Sequence, residues 1–127
     1  MKFLNPDGVV KPASNYVQAV VHKAAAERIV ISGQLGLRPD GSLEQGLEAQ
    51  MRRAWSNLFA VMRAAGFERE DLIRATIYVT EPGQVALYRK VRDEMLDGHR
   101  CANTYLEISG LAAPEFVVEI EGEAVRE

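Results

Sequence analysis

An abrupt change of apolar period is the feature that most constrains this chain. Leu43, Leu47, Met51, Ala54, Leu58, Val61 or Met62, and Ala65 recur at steps of three and four residues, the signature of one apolar face on a long helix. Beyond Gly66 and Asp71 the step shortens to two. Within Leu72–Thr80, Ile73, Ala75, Ile77 and Val79 fall on one side, and Arg74, Thr76 and Tyr78 on the other. A strand covered on one face alternates in this way. The spacing predicts Ser42 as the helix N-cap, with Glu44 and Gln45 in the first turn, and places Gly66 where a C-terminal cap belongs.

The rest of the chain extends this pattern. Tyr16–Lys23 and Arg28–Gln34 are rich in β-branched residues and read as an antiparallel pair, with Ala24-Ala25-Ala26-Glu27 as a short connection. Pro39-Asp40-Gly41 marks a turn, because Pro presets φ and Gly accepts positive φ. Glu81-Pro82-Gly83 ends the alternating strand, and Val85, Tyr88, Val91 and Met95 mark a second, shorter helix. Asp97–Arg100 reads as a loop, and Asn103–Ile108 and Phe116–Val125 as the closing strands. The expected class is α+β, in the order β-β-α-β-α-β-β after a possible short N-terminal strand. Two helices cannot cover both faces of so broad a sheet, so they are expected on one face. The other face then calls for a partner, which makes a homo-oligomer the expected state.

Composition removes several function classes. The 127 residues suit a single domain, 1–127. One Cys cannot form an internal disulfide, and the longest apolar run, Leu58–Met62, falls far short of the ~18 residues of a membrane span. Met1–Pro6 lacks the apolar stretch of a signal peptide. These features together fit the cytoplasm. A net charge of −3 with no basic tract speaks against nucleic acid as partner. No CxxC, HExxH, Walker loop or G-x-S-x-G elbow is present, and Gly33-Gln34-Leu35-Gly36 lacks the spacing of a dinucleotide fingerprint. The pair His99-x-Cys101 is too small a ligand set for zinc. Chemistry without metal or cofactor, or simple small-molecule binding, is expected.

Patches in register carry a resemblance. Tyr16-Val17-Gln18-Ala19-Val20, Ile31-Ser32-Gly33-Gln34-Leu35, Gln50 through Asn57-Leu58 to Ala64-Ala65-Gly66, and Val118-Glu119-Ile120-Glu121 stand in the order found in the RidA (YjgF/L-PSP) family of reactive-intermediate deaminases. The chain resembles that family from about Tyr16 to Val125. The resemblance implies a chorismate-mutase-like α+β fold, a homotrimer, and ligand pockets in the clefts between subunits.

Each residue that the resemblance singles out also has a plainer reading. Tyr16 supplies a pocket wall and a ligand-orienting hydroxyl, or is an ordinary amphipathic Tyr opening a strand. Ser32-Gly33 sets a hydroxyl beside an unshielded N–H, suited to a carboxylate or carbonyl oxygen, or else Gly33 merely relieves crowding. Glu119, in the apolar stretch Phe116–Ile120, is the implied water-handling carboxylate. Two placements of the acidic run are open: Glu119, Glu121 and Glu123 on one solvated face, or Glu121 turned away from Glu119. The family's deaminase branch carries an Arg where this chain has Asn103, so a guanidinium clamp gives way to a short neutral amide. Tyr105 stands where relatives often have Cys or Val, and Arg89 where Asn is common. Arg100, just upstream, is a candidate to reach the same cleft. Cys101 has no adjacent base in the sequence and reads as a plain thiol.

The function that the resemblance implies is hydrolysis of small reactive enamines or imines, with Glu119 catalytic and Tyr16, Ser32, Gly33, Asn103 and Arg100 binding. The alternative is a trimeric metabolite-binding or chaperone-like protein without turnover. Endoribonuclease activity is the weakest of the three, for want of a basic stripe.

Overall fold

The change of apolar period falls at a helix end and a turn. In the structure, a computed structural model that describes residues 1–24 and 26–127, helix α1 (Leu47–Ala64) stops at Ala65 and Gly66 takes φ 82°. The Gly66 N–H donates to the Arg63 carbonyl at 3.0 Å and the Phe67 N–H to the Met62 carbonyl at 2.9 Å. This is a Schellman motif, in which a left-handed residue satisfies carbonyls that the last turn leaves open. A 3-10 turn at Arg69–Asp71 then feeds directly into the alternating strand at Leu72–Val79.

The start of α1 differs from expectation. Leu47 is the first helical residue, after Gly46 at φ 88°, and Ser42 caps nothing. The Ser42 hydroxyl donates to Asp40 Oδ1 at 2.6 Å, and Glu44 pairs with Arg38 while its N–H donates to the Gly36 carbonyl at 3.0 Å. The turn at Pro39-Asp40-Gly41 thus takes up the polar groups that would have started a helix at Ser42.

Strands β1 (Lys2–Leu4) and β2 (Ala19–Val21) form a small antiparallel ribbon. The main sheet has the order β3-β6-β4-β5, with β3 as Glu27–Leu35, β4 as Leu72–Val79, β5 as Ala102–Glu107 and β6 as Val118–Arg126. β4 and β5 run parallel, joined through α2 (Val85–Leu96), and the other pairings are antiparallel. The expected pairing of the β2 segment with β3 is therefore corrected. β3 and β6 have nine residues each against three in β2, so β6 offers β3 the longer ladder. The predicted Ala24–Glu27 connection includes Ala25, which lies outside the described residues.

Both helices lie on one face of the sheet. Met51, Trp55, Leu58 and Met62 of α1, with Tyr88, Val91 and Leu96 of α2, meet Ala75, Ile77 and Val79 of β4 and Val118 and Ile120 of β6 in one buried cluster. Buried Gln50 ties α1 to the entry of β6, its Nε2 donating to the Glu115 carbonyl at 3.1 Å and its Oε1 accepting the Val117 N–H at 3.1 Å. Asn57 Nδ2 donates to the carbonyls of Leu35 and Leu37, at 3.1 and 2.8 Å, and fixes the exit of β3. Among the described residues, no helix is long and apolar enough to cross a membrane. The helix-free face is mixed in character: Val30 (66% exposed) and Leu106 (43% exposed) sit among Arg74, Thr76, Tyr78 and the acids of β6.

Candidate functional site

Along β6, Val118, Ile120, Gly122 and Ala124 are buried while Glu119, Glu121 and Glu123 are half-buried. All three carboxylates therefore project from the helix-free face, because side chains two residues apart share a face. The placement that turns Glu121 away from Glu119 is corrected. Their partners differ. Glu121 Oε1 accepts the Tyr78 hydroxyl at 2.7 Å, a bond that holds Tyr78 above its ordinary pKa. Glu123 Oε2 accepts from Arg28 Nη2 at 2.8 Å. Glu119 has neither a hydrogen bond nor an ion pair among the described residues.

A bulge in the neighbouring strand makes room for Glu119. The β3–β6 register shifts between Ile31 and Gln34, which leaves Ser32-Gly33 as the irregular pair. A Cβ on Gly33 would stand 1.9 Å from Glu119 Oε1, 2.6 Å from its Cδ and 2.8 Å from its Cγ. The glycine is there so that the Glu119 side chain can lie across the backbone of β3. Ser32 is exposed beside it. The structure thus brings Ser32, Gly33 and Glu119 together.

Tyr16 and Asn103 form a second group. Tyr16 lies in the loop before β2 rather than opening a strand, because the extended segment begins only at Ala19. With Asn103 it lines two adjoining cavities, one of about 340 Å³ over Arg74 and Thr76 and one of about 280 Å³ against α2. The Asn103 amide is fully engaged: Oδ1 accepts the Tyr88 hydroxyl at 2.9 Å, and Nδ2 donates to Cys101 Sγ at 3.0 Å. Tyr88 and Tyr105 stack with centroids 4.8 Å apart and planes 21° apart. Burial pushes Tyr88 above its ordinary pKa, and Tyr105 is raised by desolvation and by its bond to Glu107.

Arg92, on α2 one turn after Tyr88, went unnoticed in the sequence. It is 1% exposed, its Nη1 donates to the Tyr88 hydroxyl at 3.2 Å, and its guanidinium sits 5.0 Å from the Tyr88 ring centroid. The available signal was the i,i+4 spacing of an aromatic and a cation on the apolar side of a short helix. Arg100, by contrast, is exposed in the loop before β5 and is not among the residues lining the two Tyr16–Asn103 cavities. Cys101 is fully buried and desolvation pushes its thiol up to about 12, which leaves no thiolate for nucleophilic work. His99 is engaged at Nε2 with the Leu72 carbonyl at 2.7 Å. Ser32, Gly33 and Glu119 are absent from the lining of the two Tyr16–Asn103 cavities.

The family model described as endoribonuclease L-PSP matches residues 8–126. The chain belongs to the RidA/YjgF/L-PSP family. Among its Rid relatives, the RutC family protein YjgH of Escherichia coli is 30% identical over 118 residues, covering 87% of this chain and 90% of that protein. A 2-iminobutanoate/2-iminopropanoate deaminase of Salmonella typhimurium is 27% identical over 115 residues, 87% of each chain. A crystal structure of the Rid-family protein YyfB from Yersinia pestis, described as of unknown function, superimposes with a TM-score of 0.88 at 28% identity and 98% coverage of both chains. In this Rid chain the Gln50–Asn57 motif serves the scaffold, while the Tyr16, Ser32-Gly33 and Glu119 motifs meet the cavities or the helix-free face.

Proposed function

We propose that this chain is a hydrolytic deaminase of small reactive enamines or imines, with Glu119 as the group that handles the water proton. Glu119 takes a proton from water as its oxygen bonds to the imine carbon. Glu119 returns that proton to nitrogen, giving the carbinolamine. It then takes the hydroxyl proton and delivers it to the same nitrogen, so that the C–N bond breaks and ammonia leaves as the carbonyl forms. Ser32 and the exposed backbone of the bulge hold the polar end of the substrate, and Tyr16 packs on its apolar part. Such substrates hydrolyse unaided, so positioning and general acid–base help are sufficient. The observation that carries this reading is that Glu119, unlike Glu121 and Glu123, has no partner among the described residues and lies over a glycine that admits it.

A second copy completes the site. The Ser32–Glu119 group and Tyr16 lie on different parts of one subunit, and apposing the helix-free sheets of a homotrimer would set, in an inter-subunit cleft, Glu119 of one subunit against the Tyr16 cavity over Arg74 and Thr76 of the next. Arg100, on its exposed loop, is left to reach that cleft only from its rim. The test is steady-state hydrolysis of freshly generated 2-iminobutanoate, followed as loss of the imine beyond the spontaneous rate. Acceleration proportional to enzyme concentration supports the reading, and no acceleration of this or shorter imines rejects it. The engaged amide of Asn103 favours the alternative, a metabolite-binding protein without turnover, and that outcome is binding without acceleration.

A further inference from the structure

We infer, on the sheet apposition proposed above, that Arg74 of one subunit is the positioning residue for Glu119 of the next. Two charges on the helix-free face have no match within their own chain. Arg74 opposes Glu123 in the β4–β6 register, but Glu123 pairs with Arg28 at 2.8 Å instead. The guanidinium of Arg74 is exposed, with neither a hydrogen bond nor an ion pair among the described residues. Glu119 is in the same condition. Within one chain the two stand apart, because Glu119 opposes Tyr78, four residues along β4 from Arg74, or about 13 Å at the rise of a strand. Apposing two sheets strips water from Glu119, and a carboxylate that loses its water needs a cation or donors in its place.

The apposed face offers one such cation. Of the residues lining the cavity over Thr76, Arg74 alone carries a charge. Glu119 finds no cation among its own neighbours: Ser32-Gly33 lies beside it on β3, Tyr78 opposes it on β4, and Glu121 stands two residues along β6. The other arginines are engaged or elsewhere. Arg28 holds Glu123, Arg92 is bonded to Asp93 and Tyr88, and Arg100 lines neither Tyr16 cavity. Arg74 also borders a smaller hollow of about 200 Å³ with Glu121 and Glu123 of its own chain. Those two acids are already taken by Tyr78 and Arg28, which leaves the planar guanidinium fork for a carboxylate from the apposed sheet. In a closed trimer each site then draws its base from one chain and the cation that aims it from another.

Charge reversal tests the pair without requiring turnover. Native mass spectrometry of tagged and untagged trimers reads the rate of subunit exchange. Arg74→Glu sets two carboxylates against each other, and exchange should quicken at least about tenfold. Adding Glu119→Lys to the same chain should recover most of that loss, whereas adding Glu123→Lys should not. If Arg74→Glu does not fold, Arg74→Met and Glu119→Gln replace it, and their combined effect should fall well short of the product of the separate ones. A mixing experiment separates positioning from mere adhesion. Arg74→Glu and Glu119→Gln trimers, each slow on 2-iminobutanoate, should gain turnover as their subunits exchange, since every mixed trimer contains one interface that joins an intact Arg74 to an intact Glu119. An exchange rate unaffected by Arg74→Glu, rescue by Glu123→Lys in place of Glu119→Lys, or no gain on mixing overturns the assignment. Charge-swap rescue without turnover of any imine would sink the deaminase reading alone, and turnover without charge-swap rescue would sink the Arg74 pairing alone.

Discussion

Gly33→Ala perturbs the candidate site by one methyl group. The new Cβ would sit 1.9 Å from Glu119 Oε1, 2.6 Å from Cδ and 2.8 Å from Cγ, so the carboxylate must leave its place over β3. What moves is the flexible Glu119 side chain from Cγ outward, and holding its χ angles off their preferred rotamers costs roughly 0.5–1.5 kcal/mol. Gly33 does not have left-handed φ, so Ala is admissible there and gains about 0.4–1 kcal/mol from the less disordered unfolded chain. The two effects nearly cancel, and urea denaturation should place the variant within about 1 kcal/mol of wild type. Turnover of 2-iminobutanoate should nevertheless fall by roughly 10²–10⁴, as if the base were absent. Gly36→Ala is the contrast. Its Cβ would meet Gln50 Cα at 2.6 Å, which is helix backbone rather than a side-chain tip. α1 must then shift away from the exit of β3, and the cost should be that of overpacking, about 1–3 kcal/mol. Full turnover by Gly33→Ala, or a stability loss equal to that of Gly36→Ala, would refute the proposed placement of Glu119.

Other outcomes follow from the same geometry. Cys101, fully buried with its thiol pushed up to about 12, should resist thiol reagents at pH 8 in the native protein and react once urea unfolds it; prompt native labelling would contradict its burial. Glu107 accepts the Tyr105 hydroxyl at 2.6 Å and the N–H groups of Gln84 and Gly83, which together lower its pKa below the ordinary 4.5. Because the folded value is the depressed one, its stabilising contribution is present above about pH 4.5 and is lost as pH falls through the folded pKa. Glu107→Gln should flatten the acid limb of a stability–pH curve, and an unchanged limb would count against this. Light scattering should give about three times the 14.1 kDa chain mass, and a monomer at micromolar concentration would remove the shared cleft.

The sequence reveals most where one physical rule dominates. The steps of three and four in α1 and of two in β4 survive folding because both faces bury against each other, and Met51, Leu58, Ala75 and Ile77 are all buried there. Ser42 failed as a cap because the signal for an N-cap is also the signal for a turn, and the Asp40 carboxylate two residues away claimed its hydroxyl. The partner of β3 was hidden because strand spacing says nothing about which distant strand offers the longer ladder. For the site, Gly33 and Glu119 were legible separately, but their contact across the β3–β6 bulge was not. Arg92 escaped notice because a lone arginine on a helix usually snorkels to solvent, and only the packed structure shows it under Tyr88.

The central claim is that Glu119 moves the proton of the attacking water, and Glu119→Gln tests it most directly. The substitution keeps size and hydrogen bonding while removing the base. Steady-state hydrolysis of 2-iminobutanoate should drop by roughly 10²–10⁴, with ligand affinity changed far less. Glu121→Gln, on the same face but bonded to Tyr78, should keep near-wild-type turnover. Full activity in the Glu119→Gln protein, or equal losses in both variants, would contradict the account.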